Sequence, residues 1–229
     1  MNAVILCGGK GSRLYADWPA GRPKVGVKPF EKMSGCPIVV KVCMDLIFLG
    51  ATKISILISD SVELRQRELW TEYLEEELGV FVRLVAQPVW FTPWQRFLTF
   101  ISDEKPSGKT LLTYGDTLVT SPSIYKEFCQ HGDEQFACLT YPYEVEYGVI
   151  IKSSGFDHPR IEQKPILAVN AGHFFFRSIE NQDVGGVDWD DDLEDVFINQ
   201  CLANGNAATF EADFWYPINY FAKLERGET

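Results

Sequence analysis

The sequence predicts an α/β protein in which helices flank a mixed, mostly parallel sheet within a single domain. Through residue 114, apolar runs of strand length alternate with segments of helical periodicity. Strands that alternate with helices imply right-handed crossovers and parallel pairing. The later apolar runs follow one another with little helix between them, which predicts that the sheet becomes mixed. A chain of 229 residues is long enough for one domain with an ample core.

In the first half, each element is bounded by a recognisable start or stop signal. Leucines at helical spacing predict a helix over 62–78, with Asp60 as its cap and Gly79 as its end. Thr92-Pro93 is expected to begin another helix. In order, the predicted strands are 2–7, 53–59, 80–86 and 110–114, and the predicted helices are 37–49, 62–78 and 93–101.

The second half is predicted from β-branched and aromatic runs with one late helix. Its predicted strands are 136–141, 146–151, 169–176 and 208–211, and its helix is 190–202 with an acidic first turn. The change of pattern divides the domain into two halves, residues 1–118 and residues 119–229.

Composition excludes several classes of protein. No apolar run approaches the ~20 residues that span a bilayer, so no membrane partner is expected. The formal charge is −11, and no basic stripe follows residue 28, which speaks against nucleic acid. The six cysteines form no C-x-x-C pair and are expected to be reduced core residues. The first strand starts at Met1-Asn2 and leaves no room for a signal peptide, so the expected location is cytoplasmic.

A glycine turn follows the first strand in the run 4–14, V-I-L-C-G-G-K-G-S-R-L. Glycines let successive main-chain N–H groups approach phosphate oxygens. The run is neither a Walker loop nor a dinucleotide fingerprint, because it lacks the required Gly-Lys-Ser/Thr and the third glycine falls on Leu14. Residues 1–28 hold five cations against one acid in an otherwise acidic chain. This concentration of positive charge predicts a polyphosphate site.

The run G-G-x-G-S-R-L, with the downstream Pro23-Lys24, resembles the signature of the sugar nucleotidyltransferases, also called nucleoside-diphosphate-sugar pyrophosphorylases. The resemblance implies the Rossmann-like nucleotide-diphospho-sugar transferase fold, with residues 1–118 as the nucleotide-binding half and residues 119–229 as the half that binds the acceptor. It also implies Mg²⁺-dependent transfer of a nucleotidyl group from a nucleoside triphosphate to a sugar-1-phosphate, with release of pyrophosphate. Catalytic roles are expected for Arg13, Lys24 and Asp116. The nucleotide is expected to contact Leu6, Gly8, Gly9, Gly11, Ser12, Gln87 and Gly115.

Gly115-Asp116 directly follows an apolar strand, where one carboxylate with phosphate oxygens is sufficient for Mg²⁺. A helix cap or Asx turn would have the same sequence, but the family has a metal-binding Gly-Asp at this strand end. The run from Phe214 to Asn219 resembles the F-W-Q-P-M-D segment of glucose-1-phosphate cytidylyltransferases, which makes Asn219 the match of a second metal ligand. Because Asn219 brings no charge, three alternatives stay open: Asp116 acts with the triphosphate alone, Asp213 substitutes, or turnover is weak.

Three further segments resemble parts of the family's acceptor site. Y-G-V, E-Q-K-P and N-A-G-H-F-F stand where the family has R-[FY]-G-V, E-K-P and N-x-G-x-[YF]-x-F. Gln163 takes the glutamate position of E-K-P, which alters or shifts the reading of sugar hydroxyls. His173 is expected to be a packed ring rather than a catalytic group. The acceptor-binding residues implied by the resemblance are Gly148, Glu162, Gln163, Lys164, Asn170 and Gly172.

Other functions remain open from the sequence. Asp190-x-Asp192 could be the metal motif of a glycosyltransferase, although it also suits the acidic first turn of a helix. Gln163 and Asn219 are compatible with a sensor that binds nucleotide or sugar phosphate without turnover, and with a phosphorylated acceptor that is not a sugar. The segment ending at Asn219 slightly favours CTP, with thymidylyl, uridylyl and guanylyl transfer left open. A homo-oligomer is neither required nor excluded.

Overall fold

The computed structural model describes residues 1–8, 11–120, 123–144, 149–151, 160–162, 166–179, 193–203 and 206–218. The strands are β1 Asn2–Leu6, β2 Lys32–Met33, β3 Cys36–Pro37, β4 Lys53–Ser59, β5 Phe81–Gln87, β6 Thr110–Tyr114, β7 Thr117–Thr120, β8 Phe136–Glu144, β9 Val149–Ile151, β10 Arg160–Glu162, β11 Ile166–Phe176, β12 Ala207–Glu211 and β13 Phe214–Pro217. The helices are α1 Ser12–Ala16, α2 Ile38–Phe48, α3 Leu64–Leu78, α4 Pro93–Glu104, α5 Ser123–His131 and α6 Leu193–Ala203.

Seven strands form the main sheet in the order β12-β8-β11-β6-β1-β4-β5. Neighbouring strands are parallel except where β11 pairs antiparallel with both β6 and β8. In the centre, Leu6 of β1 lies opposite Leu57 of β4 on one side and Tyr114 of β6 on the other. The predicted α/β class, with its mixed and mostly parallel sheet, is confirmed.

The sheet is covered on both faces. Alternation along β1 sends Ala3 and Ile5 into a cluster with residues of α2, α3 and α5, and Val4 and Leu6 into a second cluster with residues of α4 and α6. Strands buried on both faces read as continuous apolar runs, which is how the sequence identified them.

The helix signals were partly confirmed. Thr92 forms a capping box with Gln95 at the start of α4, and Gly79 ends α3 with a left-handed conformation (φ 65°). The predicted cap of α3 was wrong, because α3 begins at Leu64 after Glu63 and has no side-chain cap. The backbone N–H of Asp60 instead donates to the carbonyl of Gln87, which joins the ends of β4 and β5.

Several elements were absent from the sequence prediction. These are the short helix α1, helix α5 and the strands β2, β3, β7, β10 and β13. Strand β13 pairs antiparallel with β7, and the N–H of Ile218 donates to the carbonyl of Asp116 at 2.9 Å. The run Phe214–Pro217 is therefore a strand that leads the chain to the end of β6. The predicted helix start at 190–192 lies outside the described residues, and α6 is described from Leu193.

All six cysteines are free thiols, and five of them are buried, as expected for reduced core residues. Among the described residues, no helix is both long and apolar enough to cross a bilayer.

Candidate functional site

The candidate site forms where β1 and β6 end side by side. The glycine turn follows β1, and Gly115-Asp116 follows β6. The N–H of Gly115 donates to the carbonyl of Leu6 at 3.0 Å, which fixes the two turns next to each other. Ligands of open α/β sheets bind beyond the carboxyl ends of parallel strands. The two turns that the sequence analysis singled out are thus brought together.

Lys28 is the cation that the structure pairs with Asp116. Its Nζ donates to Oδ2 of Asp116, and the lysine is only 9% exposed. A Cβ added to Gly11 would lie 3.5 Å from the Cβ of Lys28, so the lysine also passes beside the glycine turn. A buried charge of this kind is stabilised only by a close partner. Lys28 therefore joins the glycine turn to the carboxylate of Asp116.

Glycine at position 115 is required by the protein itself. A Cβ there would collide with the Sγ of Cys7 and lie 3.1 Å from the ring of Pro29. The sequence analysis predicted Gly115 as a nucleotide contact, and the structure adds that glycine at this position leaves room for Cys7 and Pro29. The close packing of Pro29 carries its neighbour Lys28 to Asp116.

The glycine turn leads directly into α1. Gly11 has a left-handed conformation (φ 62°) at the start of α1, where a Cβ would lie 2.7 Å from the ring of Tyr15. Ser12 and Arg13 are exposed in the first turn of α1, and Leu14 is buried in the core. Gly9 lies outside the described residues. Leu14 thus anchors α1 and leaves Arg13 at the surface beside the turn.

Lys24 lies on an exposed loop anchored by Glu31. Glu31 is 3% exposed, and its Oε1 accepts hydrogen bonds from the hydroxyl of Tyr15 (2.7 Å) and the N–H groups of Val25 (2.8 Å) and Gly26 (3.2 Å). The Nζ of Lys24 lies 5.4 Å from the centre of the Tyr15 ring. The structure therefore places the ammonium group of Lys24, predicted to be catalytic, over the ring of Tyr15. It pairs Lys28, which was not predicted, with the carboxylate of Asp116.

Two predicted nucleotide contacts have buried side chains. Leu6 is 4% exposed in the core, and its carbonyl is taken by Gly115. Gln87 is 7% exposed, and its Nε2 donates to the carbonyl of Arg96 at 3.0 Å. These side chains shape the end of the sheet from below. Contact of these two residues with the nucleotide stays a prediction.

Two connected cavities open beside the glycine turn. One has a volume of about 180 Å³ and the other of about 310 Å³. Gly26, Val27 and Ser61 line both of them. Beyond these, the smaller cavity is lined by Cys7, Gly8, Ser59 and Val89, and the larger by Val25, Val62, Glu63, Gln66 and Trp70. The space next to the turn is therefore walled by valines and glycines with hydroxyl groups at its floor.

A hydrogen-bonded chain occupies the other side of β6. The indole Nε1 of Trp94 donates to the hydroxyl of Tyr114 at 2.7 Å, and that hydroxyl donates to Oε2 of Glu194. The amide of Asn170 donates to Oε1 of Glu194 at 2.9 Å and accepts from the N–H of Gly172 at 2.8 Å. Burial raises the pKa of Glu194, and burial together with the Glu194 carboxylate raises the pKa of Tyr114.

Asn170 and Gly172, two predicted acceptor residues, belong to this chain of hydrogen bonds. Glu194, which also belongs to it, was not predicted. Gly172 has φ 77°, and a Cβ there would lie 2.8 Å from the Tyr114 ring. Glu194 lies in the first turn of α6, where an acidic residue is expected for the helix alone. The sequence held no signal that separated a helix-stabilising Glu194 from a ligand-binding one.

His173 is a packed ring, as expected. It is 1% exposed, and its Nδ1 lies 3.1 Å from the hydroxyl of Thr113. Burial lowers the pKa of His173 to about 4. The ring is therefore neutral near pH 7 and belongs to the junction between β6 and β11.

The remaining acceptor predictions fall largely outside the described chain. Glu162 lies in β10 opposite Val149. Gly148, Gln163, Lys164 and Asn219 lie outside the described residues, as does Asp190-x-Asp192.

Asp116 fits the role of a single magnesium ligand. Its carboxylate stands at the end of β6 with 27% of the side chain exposed. The described residues contain no group of three or more His, Cys, Asp or Glu side chains that could hold a metal ion. Mg²⁺ commonly uses one or two carboxylates with phosphate oxygens and water. The residues present therefore suit a metal that arrives with a nucleotide.

The strand order, the reversed β11 and the paired turns after β1 and β6 define the fold of the nucleotide-diphospho-sugar transferases. Two solved structures share it. One, described as a glucose-1-phosphate thymidylyltransferase from Bacillus anthracis in complex with sucrose, is 20% identical, with a TM-score of 0.75 over 99% of this chain and 93% of that one. The other, the inositol-1-phosphate CTP transferase from T. maritima, is 19% identical, with a TM-score of 0.67 over 98% and 91%. No family model matches the sequence.

Proposed function

We propose that this protein transfers a nucleotidyl group from a nucleoside triphosphate to a phosphorylated polyhydroxylated acceptor, with release of pyrophosphate. The observation that carries the proposal is the meeting of Lys28, Asp116 and the glycine turn at the adjacent ends of β1 and β6. A buried lysine, a carboxylate and main-chain N–H groups are the groups that bind and align a triphosphate with its metal.

In the proposed reaction, an oxygen of the acceptor phosphate attacks the α-phosphorus in line. The bond from the α-phosphorus to the bridging oxygen breaks, and that oxygen leaves with pyrophosphate. No side-chain nucleophile is required, because the attacking oxygen is already anionic. Catalysis then consists of alignment and of neutralising charge on the phosphates. The glycine turn and Arg13 hold the β- and γ-phosphates, and Lys28 lies next to the α-phosphate.

Magnesium, when bound, neutralises phosphate charge and fixes the phosphate geometry. Asp116 is the described residue that would hold it, with Asn219 as the second ligand proposed from the resemblance. The chain segment that precedes Asn219 reaches Asp116 through the hydrogen bond from Ile218 to the Asp116 carbonyl. Lys28 keeps the carboxylate of Asp116 directed toward the end of β6.

The nucleoside end of the triphosphate fits the two cavities beside the glycine turn. Gly8 and Val89 give them apolar surface near the turn, and Ser59 and Ser61 supply hydroxyl groups. The hydroxyls of Ser59 and Ser61 are hydrogen-bonded to each other at 2.8 Å. A base edge could be read by this pair. The choice between CTP, which the sequence slightly favours, and the other triphosphates is left to the assay below.

The acceptor fits in one orientation. Its phosphate faces Lys28, and the rest of the molecule extends toward Asn170 and Glu194. A carboxylate repels phosphate and accepts hydrogen bonds from hydroxyl groups. Glucose-1-phosphate and inositol-1-phosphate, named for the two structural relatives, both carry hydroxyls around a ring. Glu194 supplies a carboxylate on the acceptor side. In the sequence, Gln163 takes the position of the glutamate with which the family contacts sugar hydroxyls.

The decisive experiment is pyrophosphate release measured over a matrix of triphosphates and phosphorylated acceptors. The triphosphates are ATP, CTP, GTP, UTP and dTTP, and the acceptors include sugar-1-phosphates, inositol phosphates and phosphorylated alcohols without a ring. We expect release with one triphosphate and a ring polyol phosphate, and none when Mg²⁺ is chelated. Triphosphate binding without release from any pair would show a sensor instead. Consumption of a nucleotide sugar would show a glycosyltransferase.

A further inference from the structure

Arg96 is a fully buried arginine directly beneath the glycine turn. It is 0% exposed, and a Cβ added to Gly8 would collide with its Nε and lie 2.6 Å from its Cδ. Its Nη1 donates to the carbonyls of Ile58 (2.7 Å) and Gln87 (3.0 Å), and its Nη2 approaches the carbonyl of Val89 (3.5 Å). The guanidinium thus joins the ends of β4 and β5 under the turn that follows β1.

The charge of Arg96 is not neutralised by an ion pair. None of the carboxylates in the described part of the chain forms a salt bridge with it, and its Nε has no hydrogen-bond partner there. Burial lowers the pKa of Arg96, and Asp60 raises it, but an arginine remains protonated in proteins. Because the pKa is lowered on balance, Asp60 and the carbonyl groups offset only part of the cost of burying this charge. A phosphate bound at the glycine turn above Arg96 would offset more of that cost.

On the basis of the proposed triphosphate site, we propose that Arg96 is a positioning residue for the phosphate chain. It contributes a fixed positive charge from below the glycine turn, without touching the ligand. Because mobile ions cannot reach a buried group, this attraction is screened little by salt. The exposed Arg13 acts from above the same turn and is screened.

The inference is tested by calorimetric titration of Arg96→Met and Arg96→Lys with sodium tripolyphosphate, with the tightest-binding triphosphate and with its monophosphate. Arg83→Met is the matched control, because Arg83 lies on β5 and its loss changes the net charge equally. We expect Arg96→Met to weaken triphosphate and tripolyphosphate binding by roughly tenfold or more, the scale of one charge at this depth. Monophosphate binding should weaken much less, and Arg83→Met should bind as the wild type does.

The lysine variant separates charge from hydrogen bonding. Arg96→Lys keeps the charge but loses the fork that bridges the carbonyls, so near wild-type affinity supports the inference. Equal weakening in the lysine and methionine variants, or equal affinities in Arg96→Met and Arg83→Met, would overturn it. Should Arg96→Met not fold, as judged by circular dichroism, Arg96→Gln provides the neutral comparison with Arg96→Lys.

Ionic strength gives a second readout. The affinity ratio between wild type and Arg96→Met should persist from low to high salt, whereas the ratio for Arg13→Met should shrink. A ratio for Arg96→Met that vanishes at high salt contradicts a buried source of attraction. If the wild type binds none of the triphosphates and no tripolyphosphate, the proposed function fails together with the inference. If it binds and turns over but Arg96→Met behaves identically, only the inference fails.

Discussion

The sheet has two halves that meet at β6 and β11 and differ in the charge they present. The parallel half, β5-β4-β1-β6, ends in a lysine paired with Asp116 and in a buried arginine without an ion pair. The mixed half, β11-β8-β12, presents Asn170, and α6 adds Glu194 beside it. In the proposed function, the parallel side attracts phosphate, and the mixed side accepts hydrogen bonds from hydroxyl groups.

Strand direction explains how both kinds of group reach the same edge. The parallel strands contribute their carboxyl ends, where the turns after β1 and β6 lie. β11 runs the other way and contributes its amino-terminal part, in which Ile166, Ala168 and Asn170 are exposed. A single reversed strand is therefore enough to bring polar side chains of a strand's amino-terminal part to the edge formed by the carboxyl ends of the parallel strands.

The largest expected effect is on the charged side. Asp116→Ala and Lys28→Ala should each lower turnover at least ~100-fold, the scale of losing one preorganised charge contact. Lys24→Ala should lower it far less, because Lys24 lies exposed on Tyr15. Steady-state kinetics of pyrophosphate release would measure all three, with Lys126→Ala on α5 as the control. Equal losses in Lys24→Ala and Lys28→Ala would contradict the assignment of Lys28.

A smaller effect is expected on the hydroxyl-reading side. Glu194→Gln should raise KM for the acceptor about tenfold, the scale of one hydrogen bond to a charged group. The side-chain amide of the introduced glutamine also carries N–H donors. It would present them to the hydroxyl of Tyr114 and the amide of Asn170, which both donate to Glu194 in the native protein. KM for the triphosphate should stay unchanged. Asp195→Asn, in the same turn of α6, is the matched control. If Glu194→Gln raised KM for the triphosphate as much as KM for the acceptor, the assignment of Glu194 to the acceptor side would be contradicted.

The junction between the halves has its own pH signature at His173. Its folded pKa of about 4 lies below the ordinary histidine value of 6.5, so the unfolded chain binds more protons between these values. The contribution of neutral His173 to stability is thus complete above pH 6.5 and is lost as pH falls toward 4. At its steepest this slope is about 1.4 kcal/mol per pH unit.

Urea denaturation of wild type and His173→Gln across this range would measure that slope. The variant should lose the histidine contribution and show a flatter dependence of the free energy of unfolding on pH. Burial raises the pKa of Asp45 to about 6, which acts in the opposite direction in both proteins and cancels in the comparison. Identical slopes would show that the ring is protonated or solvated in the folded protein.

The parallel half could be predicted because its signals are local. Strands buried on both faces are continuous apolar runs, and Thr92 and Gly79 mark helix ends by their own chemistry. The short elements β7, β13 and α1 lack such signals. β7 and β13 are stabilised by pairing with each other across about 100 residues of sequence.

The site was predicted at the level of its turns and only partly at the level of its side chains. Within the first 30 residues, proline and lysine are adjacent twice, at Pro23-Lys24 and at Lys28-Pro29, and only the fold shows which lysine meets Asp116. Arg96 stands among the buried residues of α4, so a charged residue on an apolar face was the available signal. Glu194 was not predicted as a site residue, because an acidic residue in the first turn of a helix is expected for the helix alone.

The register shift in β11 between Asn170 and Phe174 divides the strand into two stretches with separate duties. Residues 174–176 pair with 136–138 inside the core, and residues 166–170 pair with 140–144 in a largely exposed ribbon. Substitutions in the ribbon can accumulate without disturbing the packed stretch. Lineages that share this bulge could therefore exchange one small substrate for another while the scaffold stays unchanged.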